Sequence, residues 1–241
     1  MQLNRFKNNI AENIFKQKYA QGVEDTWDNL AERVVEDVCG TRLGKDRALM
    51  SQEDRDQLAQ YIKEMKFIPG GRYLWYSGRP NSYYNNCYLL KGEEDTREEW
   101  AELIKRATSC LMTGGGIGID YSIFRPKGKP LSRTGGISSG PLPLMNAINE
   151  IGRSVMQGGS RRSAIYASLN WLHEDIPEFM YIKNWSESIK QMKEIDFNFP
   201  APLDMTNISI NYDNRWKYNA NRETLHTFVE NCRQAMMTGE P

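Results

Sequence analysis

From "NNCYLL" onwards, short apolar segments of strand character alternate with longer amphipathic helices, and few architectures accept that order. The clearest strand is "TNISINYD" (206–213), where Ile208, Ile210 and Tyr212 take one side and Asn207, Ser209 and Asn211 the other. "AIYASLNW" (164–171) has the same texture, and "TGGGIGID" (113–120) reads as a strand softened by glycine. Between them lie helical patterns. "DTREEWAELIKRATSCLM" opens on a capping box of Thr96 and Glu99 and carries Trp100, Leu103, Ala107 and Leu111 as one stripe. Leu144, Ile148, Ile151 and Val155 recur at helical spacing, as do Leu225, Phe228, Val229, Cys232 and Met236 in a last helix over 223–237. Strands separated by helices predict an α/β sheet or barrel.

Before residue 67 the pattern differs. Trp27, Leu30, Val34 and Val38 mark a helix that stops at Gly40, and "QEDRDQLAQYIKEM" marks another that ends before Pro69. The segment "FIPGGRYLWYSGRPNSYYNNCYLL" is then broken by Pro and Gly, and its short apolar runs read as strands. Two regions follow from this: a helical one over 1–66 and an α/β one over 67–241.

Composition excludes several classes. The 31 basic and 31 acidic side chains cancel, which leaves no field suited to nucleic acid or an anionic membrane. No signal-peptide core opens the chain, and nowhere do eighteen apolar residues run together, so a cytoplasmic protein is expected. Four cysteines without paired spacing and two histidines argue against a disulfide scaffold and a histidine-rich metal site. The end, "TGEP", falls in turn residues directly after a helix, as if a strand should follow.

Four segments are of chemical interest, each with a plain alternative. Cys87 in "YYNNCYLL" is either a small core residue or a reactive thiol held on one face of a strand. The glycines of "GGGIGID" either relieve crowding or let backbone amides approach a ligand. The loop "FRPKGKPLSR" (124–133) is a solvated surface loop or a phosphate clamp. In "QGGSRRSA" (157–164), Arg161 and Arg162 either cap carbonyls or read a base and phosphates.

Taken in order, "PGGRYLW", "NNCYLL", "GGGIGI", "SSGPLPLM", "GGSRRSA", "TNISI" and "GEP" resemble the large catalytic subunit of ribonucleotide reductases, most closely the adenosylcobalamin-dependent class II type. The resemblance runs from about residue 60 to the end. It implies an α/β fold, with the helical region followed by about half of a ten-stranded α/β barrel. It further implies reduction of ribonucleoside tri- or diphosphates to deoxyribonucleotides by radical chemistry. The radical cysteine, a catalytic glutamate and the disulfide partner of Cys87 would lie on a C-terminal half, in a separate chain or missing.

By the same resemblance Cys87 is the first redox thiol, and Pro69, Gly70, Gly71, Asn86, Gly115 and Gly116 line the substrate nucleotide. Asp95, with Glu94 as a rival, binds the ribose of a deoxynucleotide triphosphate effector, and Arg125 and Arg133 bind its phosphates. Gln157, Gly158, Gly159, Ser160 and Arg161 match the specificity loop. Implied partners are adenosylcobalamin, held mainly by the other half, thioredoxin or glutaredoxin as reductant, and a second copy in a homodimer. A non-catalytic deoxynucleotide-binding regulatory module, or part of an iron-dependent class I subunit, are the alternatives. No ATP-cone-like extension precedes the helices, which argues against overall control by ATP and dATP.

Overall fold

The structure is a computed structural model that describes residues 6–24, 26–40, 49–133, 135–155, 163–219 and 221–241. It divides into two compact units, Met1–Asn85 and Asn86–Pro241.

The first unit is helical. α1 (Asn9–Ile14) runs into a π-turn at Phe15–Tyr19, followed by α2 (Trp27–Cys39), α3 (Gln52–Lys63) and α4 (Gly71–Tyr76). α2 starts where Thr26 accepts the Asn29 amide and stops at Gly40. Its apolar stripe of Leu30, Ala31, Val34 and Val35 is buried with Phe15, Trp27, Ile62 and Leu74 in one core. Trp27 satisfies its indole by donating to Ile62 O at 2.8 Å. Arg33 is the polar centre of the unit: it pairs with Glu24 at 2.5 Å and donates to the carbonyls of Ser77, Tyr19 and Leu74.

The "GGRYLWY" run, expected as strand, is the helix α4. Pro69 and Gly70 form its entry, Leu74 turns into the helical core and the buried Arg72 donates to Tyr83 O at 3.0 Å. Packing on the helical core thus decides a short segment that pattern alone leaves ambiguous.

The second unit is a four-stranded sheet of β1 (Cys87–Lys91), β2 (Gly116–Asp120), β3 (Ile165–Asn170) and β4 (Thr206–Asn211), in that spatial order and parallel throughout. The crossovers carry α5 (Arg97–Met112), α6 (Leu142–Ser154), α7 (Ile176–Tyr181) and α8 (Glu187–Ile195), and α9 (Asn214–Asn219) and α10 (Arg222–Thr238) follow β4. Thr96 caps α5 by accepting the Glu99 amide at 3.1 Å.

Alternation divides the sheet into two faces. Ile117, Ile119, Ile165, Ala167, Leu169, Ile208 and Ile210 are buried in one core with Leu103, Ala107, Leu111, Leu144 and Ile148 of the helices. Each such side chain contributes roughly 1.5–3 kcal/mol. The other face presents Cys87, Leu89 and Lys91 on β1, Gly116, Gly118 and Asp120 on β2, Tyr166, Ser168 and Asn170 on β3, and Asn207, Ser209 and Asn211 on β4. Leu89 is 85% exposed and Tyr166 38%.

The apolar set expected to bury α10 is only partly used. Phe228 packs on Trp216 and Tyr212, at 4.8 and 5.3 Å between centroids, while Leu225, Val229 and Met236 are exposed. No helix among the described residues is long and apolar enough to cross a membrane.

Candidate functional site

Cys87 opens β1 on the face away from the helices, and its thiol is exposed. Asn86 precedes it and accepts the Gly116 amide through its carbonyl at 2.8 Å, which fixes the register Cys87↔Gly116. A Cβ at Gly116 would lie 3.6 Å from Cys87 Sγ and 3.3 Å from Ala164 Cβ. Glycine therefore leaves a shallow trough beside the thiol. Gly115 answers a different need, because a Cβ there would stand 2.4 Å from the Tyr88 ring, which lies on the helix side of β1. Gly115 thus relieves crowding, while Gly116 leaves space beside the thiol and spends its own amide on the Asn86 carbonyl.

Further along the same face, Leu89 and Tyr166 flank Gly118, and a Cβ there would make ordinary contact with both. Lys91, Asp120, Ser168 and Ser209 form the next row, and Asn170 and Asn211 the last. This gradation, from thiol through apolar residues to a polar end, is set by register and is not visible in any one segment. Pro69, Gly70 and Gly71 belong to the first unit, at the entry to α4. Gln157, Gly158, Gly159, Ser160 and Arg161 lie outside the described residues.

Beyond the C-terminal end of β1, three of the sequence candidates meet. Asp95, Arg125 and Arg133 line a cavity of about 560 Å³ together with Thr96, Trp100, Leu131, Ile137 and Ser138. Asp95 accepts from Arg125 Nε at 2.5 Å, and Arg125 also donates to the Asp95 carbonyl at 3.2 Å and to Pro130 O at 3.3 Å. Glu94, the rival for the ribose, is exposed and outside the lining. Arg133 makes no ion pair with a described residue.

The floor is aromatic, with Trp100 and Phe124 edge-to-face at 6.0 Å. The N-terminus of the sixteen-residue α5 opens on the same cavity, and the positive potential of its dipole there is offset by Glu98 and Glu99 in the first turn. Glu98 at the rim is exposed, and its hydrogen bond from Arg97 holds its carboxyl below the usual carboxylate range. A cavity with an aromatic floor, hydroxyls, the carboxylates Asp95 and Glu98 and the arginines Arg97, Arg125 and Arg133 suits a flat base, a sugar and phosphates. Thr96, Trp100 and Ser138 are not among the site residues expected from the sequence, where Thr96 marks a helix cap, Trp100 the apolar stripe of α5 and Ser138 the start of "SSGPLPLM".

The family model for the barrel domain of ribonucleotide reductase matches residues 85–224, more than half of the chain. The chain belongs to that family. Among curated relatives, the vitamin B12-dependent ribonucleoside-diphosphate reductase of Mycobacterium tuberculosis is 28% identical over 174 residues, covering 72% of this chain and 23% of the relative. The large subunit of the Plasmodium falciparum ribonucleoside-diphosphate reductase is 33% identical over 111 residues, 46% of this chain and 14% of the relative. A solved structure, the Actinobacillus ureae class Id ribonucleotide reductase alpha subunit, superposes with a TM-score of 0.71 at 14% identity, over 97% of this chain and 39% of that one. That likeness supports the fold. The chain spans about a quarter or less of the curated relatives' length, and the matched stretch is the reductase barrel domain.

Proposed function

We propose that this chain is the N-terminal half of a ribonucleotide reductase barrel, supplying the first redox thiol and the deoxynucleotide effector site. The observation that carries the reading is Cys87: an exposed thiol at the start of β1, on the helix-free face, beside a glycine that keeps its flank open. Loss of the ribose 2′-hydroxyl as water requires two electrons and two protons. Cys87 and a second thiol on the complementary half-barrel supply them and become a disulfide. Thioredoxin or glutaredoxin then reduces that disulfide by thiol exchange. The relatives are named as diphosphate reductases, which favours a ribonucleoside diphosphate as substrate.

The relatives named as vitamin B12-dependent suggest adenosylcobalamin as the radical source. That cofactor supplies radical initiation when bound. In this chain His173 is withdrawn from solvent with both ring nitrogens engaged, and no group of three or more His, Cys, Asp or Glu among the described residues could hold a metal ion. A corrin brings its own ligands to cobalt and would be held mainly by the complementary half, so the chain's proposed part in the reaction is its thiol, its backbone and its effector cavity.

Reconstitution with the complementary half-barrel tests the reading. Deoxynucleotide formation is expected to be lost in Cys87→Ser, while effector binding persists. Turnover that survives the substitution overturns the redox role. The cavity also supports a second reading, a regulatory module that binds deoxynucleotide without chemistry, since Asp95, Arg125 and Arg133 line one cavity apart from Cys87. That reading predicts binding without turnover under any pairing.

A further inference from the structure

The arm that presents Arg125 and Arg133 has little secondary structure of its own. Among its described residues, 124–133 and 135–140, it holds one isolated antiparallel bridge, Pro130–Ile137, with the neighbouring bonds Gly128 N to Ser138 O at 2.8 Å and Ser138 N to Lys129 O at 2.7 Å. Its two ends converge on the turn between β3 and α7. His173 Nε2 lies 2.8 Å from Phe124 O, the residue before Arg125. A carbonyl only accepts, so Nε2 carries the hydrogen and donates. Nδ1 is then free to accept, and it takes the Asp175 amide at 3.1 Å.

Asp175 completes the joint. Its two carboxylate oxygens accept the Lys127 amide at 3.2 and 3.1 Å. The far end of the arm closes on the same group at Gly140. That residue has φ +76°, and a Cβ there would stand 2.5 Å from Asp175 Oδ2 and 3.0 Å from Lys127 N. Start of arm, end of arm and turn thus share one small volume that only glycine admits. The side chains of His173 and Asp175 are 5% and 9% exposed, so these bonds are shielded from water. The ion pairs Lys127–Glu178 and Lys129–Glu174 are exposed and add little.

We propose that His173 and Asp175 are positioning residues that clamp this arm in the conformation that binds deoxynucleotide; this rests on the effector reading of the cavity. Neither residue lines that cavity. They act through the backbone at Phe124 and Lys127, on either side of Arg125. An arm that spends only a fraction of its time in the competent conformation binds with affinity reduced by that fraction.

The test pairs isothermal titration of dTTP into the full chain with hydrogen exchange at the Lys127 amide in the absence of nucleotide. His173→Ala and Asp175→Ala are each expected to weaken dTTP binding about tenfold and to speed Lys127 exchange about tenfold. His173→Gln and Asp175→Asn retain a donor and an acceptor at those places, and are expected to restore most of both. Arg133→Ala is expected to weaken dTTP while Lys127 exchanges as in wild type. Wild-type affinity in the alanine variants, or unchanged exchange at Lys127, overturns the clamp. If Asp175→Ala does not fold, His173→Ala, which removes fewer bonds, decides alone. Should wild type bind no dTTP, the effector reading falls, whereas the exchange rates still show whether the joint holds the arm.

Discussion

Gly116 stands opposite Cys87 on the β1–β2 ladder, and its missing side chain governs how a reagent reaches the thiol. A valine there would project its methyl groups over Sγ. Gly116→Val is therefore expected to slow alkylation of Cys87 by iodoacetamide several-fold, while the exposed Cys232, on α10, keeps its wild-type rate as an internal reference. Mass spectrometry of the two tryptic peptides reads the ratio, and an unchanged ratio refutes the trough. That Cys87 takes one definite face was legible in the sequence, because a strand gives each residue one side, but core face and open face were left as alternatives. What Gly116 does for it was not, since register joins residues that no local pattern links. The same holds for Gly115, whose lost Cβ is answered by the ring of Tyr88 on the neighbouring strand.

Among elements, the long amphipathic helices and alternating strands were readable because their periodicity spans several turns or pleats. α4 was not: six residues hold too few repeats, and the core around Leu74 decided it. Equally hidden was the joint between α6 and β4. Asp204, 2% exposed, pairs with Arg153 on α6 and with Lys193 on α8 at 2.7 Å, and accepts from Asn149 at 3.1 Å. Asn149 in turn accepts the Met205 amide and the Thr206 hydroxyl, each at 2.9 Å. Such pairs are some fifty residues apart and leave no periodic trace.

That joint has a pH signature. Burial opposes ionisation of Asp204, yet the hydrogen bonds from Arg153, Lys193 and Asn149 hold its carboxyl below the ordinary value of 3.8. Its contribution is therefore complete well above 3.8 and is lost as pH falls through the lower folded value. Asp204→Asn is expected to cost about 2 kcal/mol near neutrality, because Lys193 loses its carboxylate and Arg153 keeps only Glu150. The gap in melting temperature between wild type and variant should shrink below about pH 4. A gap constant from pH 7 to pH 3 would refute the assignment.

For the whole molecule, the balance of charge matters less than its placement. Thirty-one positive and thirty-one negative side chains give no net field, so attraction of an anionic ligand must come from a local arrangement. The second unit supplies one at the cavity between the N-terminus of α5 and the arm, where Arg133 makes no close ion pair with a described residue but interacts with Glu98 at longer range, and Arg125 is held by Asp95. The resemblance put the arginines and Asp95 around one effector, but no local pattern shows the pairing of Asp95 with Arg125 across thirty residues. Binding at this cavity must stabilise the unit that contains it by mass action. At a hundredfold excess of dTTP over its dissociation constant, the gain is about 2.7 kcal/mol. Scanning calorimetry of the full chain should show the transition of the second unit moving upward with dTTP concentration. Arg125→Ala frees Asp95 as an unpaired negative charge at the mouth and removes a phosphate ligand, so both effects oppose the nucleotide. The shift should then vanish at the same dTTP concentration; a variant whose transition still rises as in wild type would place the nucleotide elsewhere on the chain.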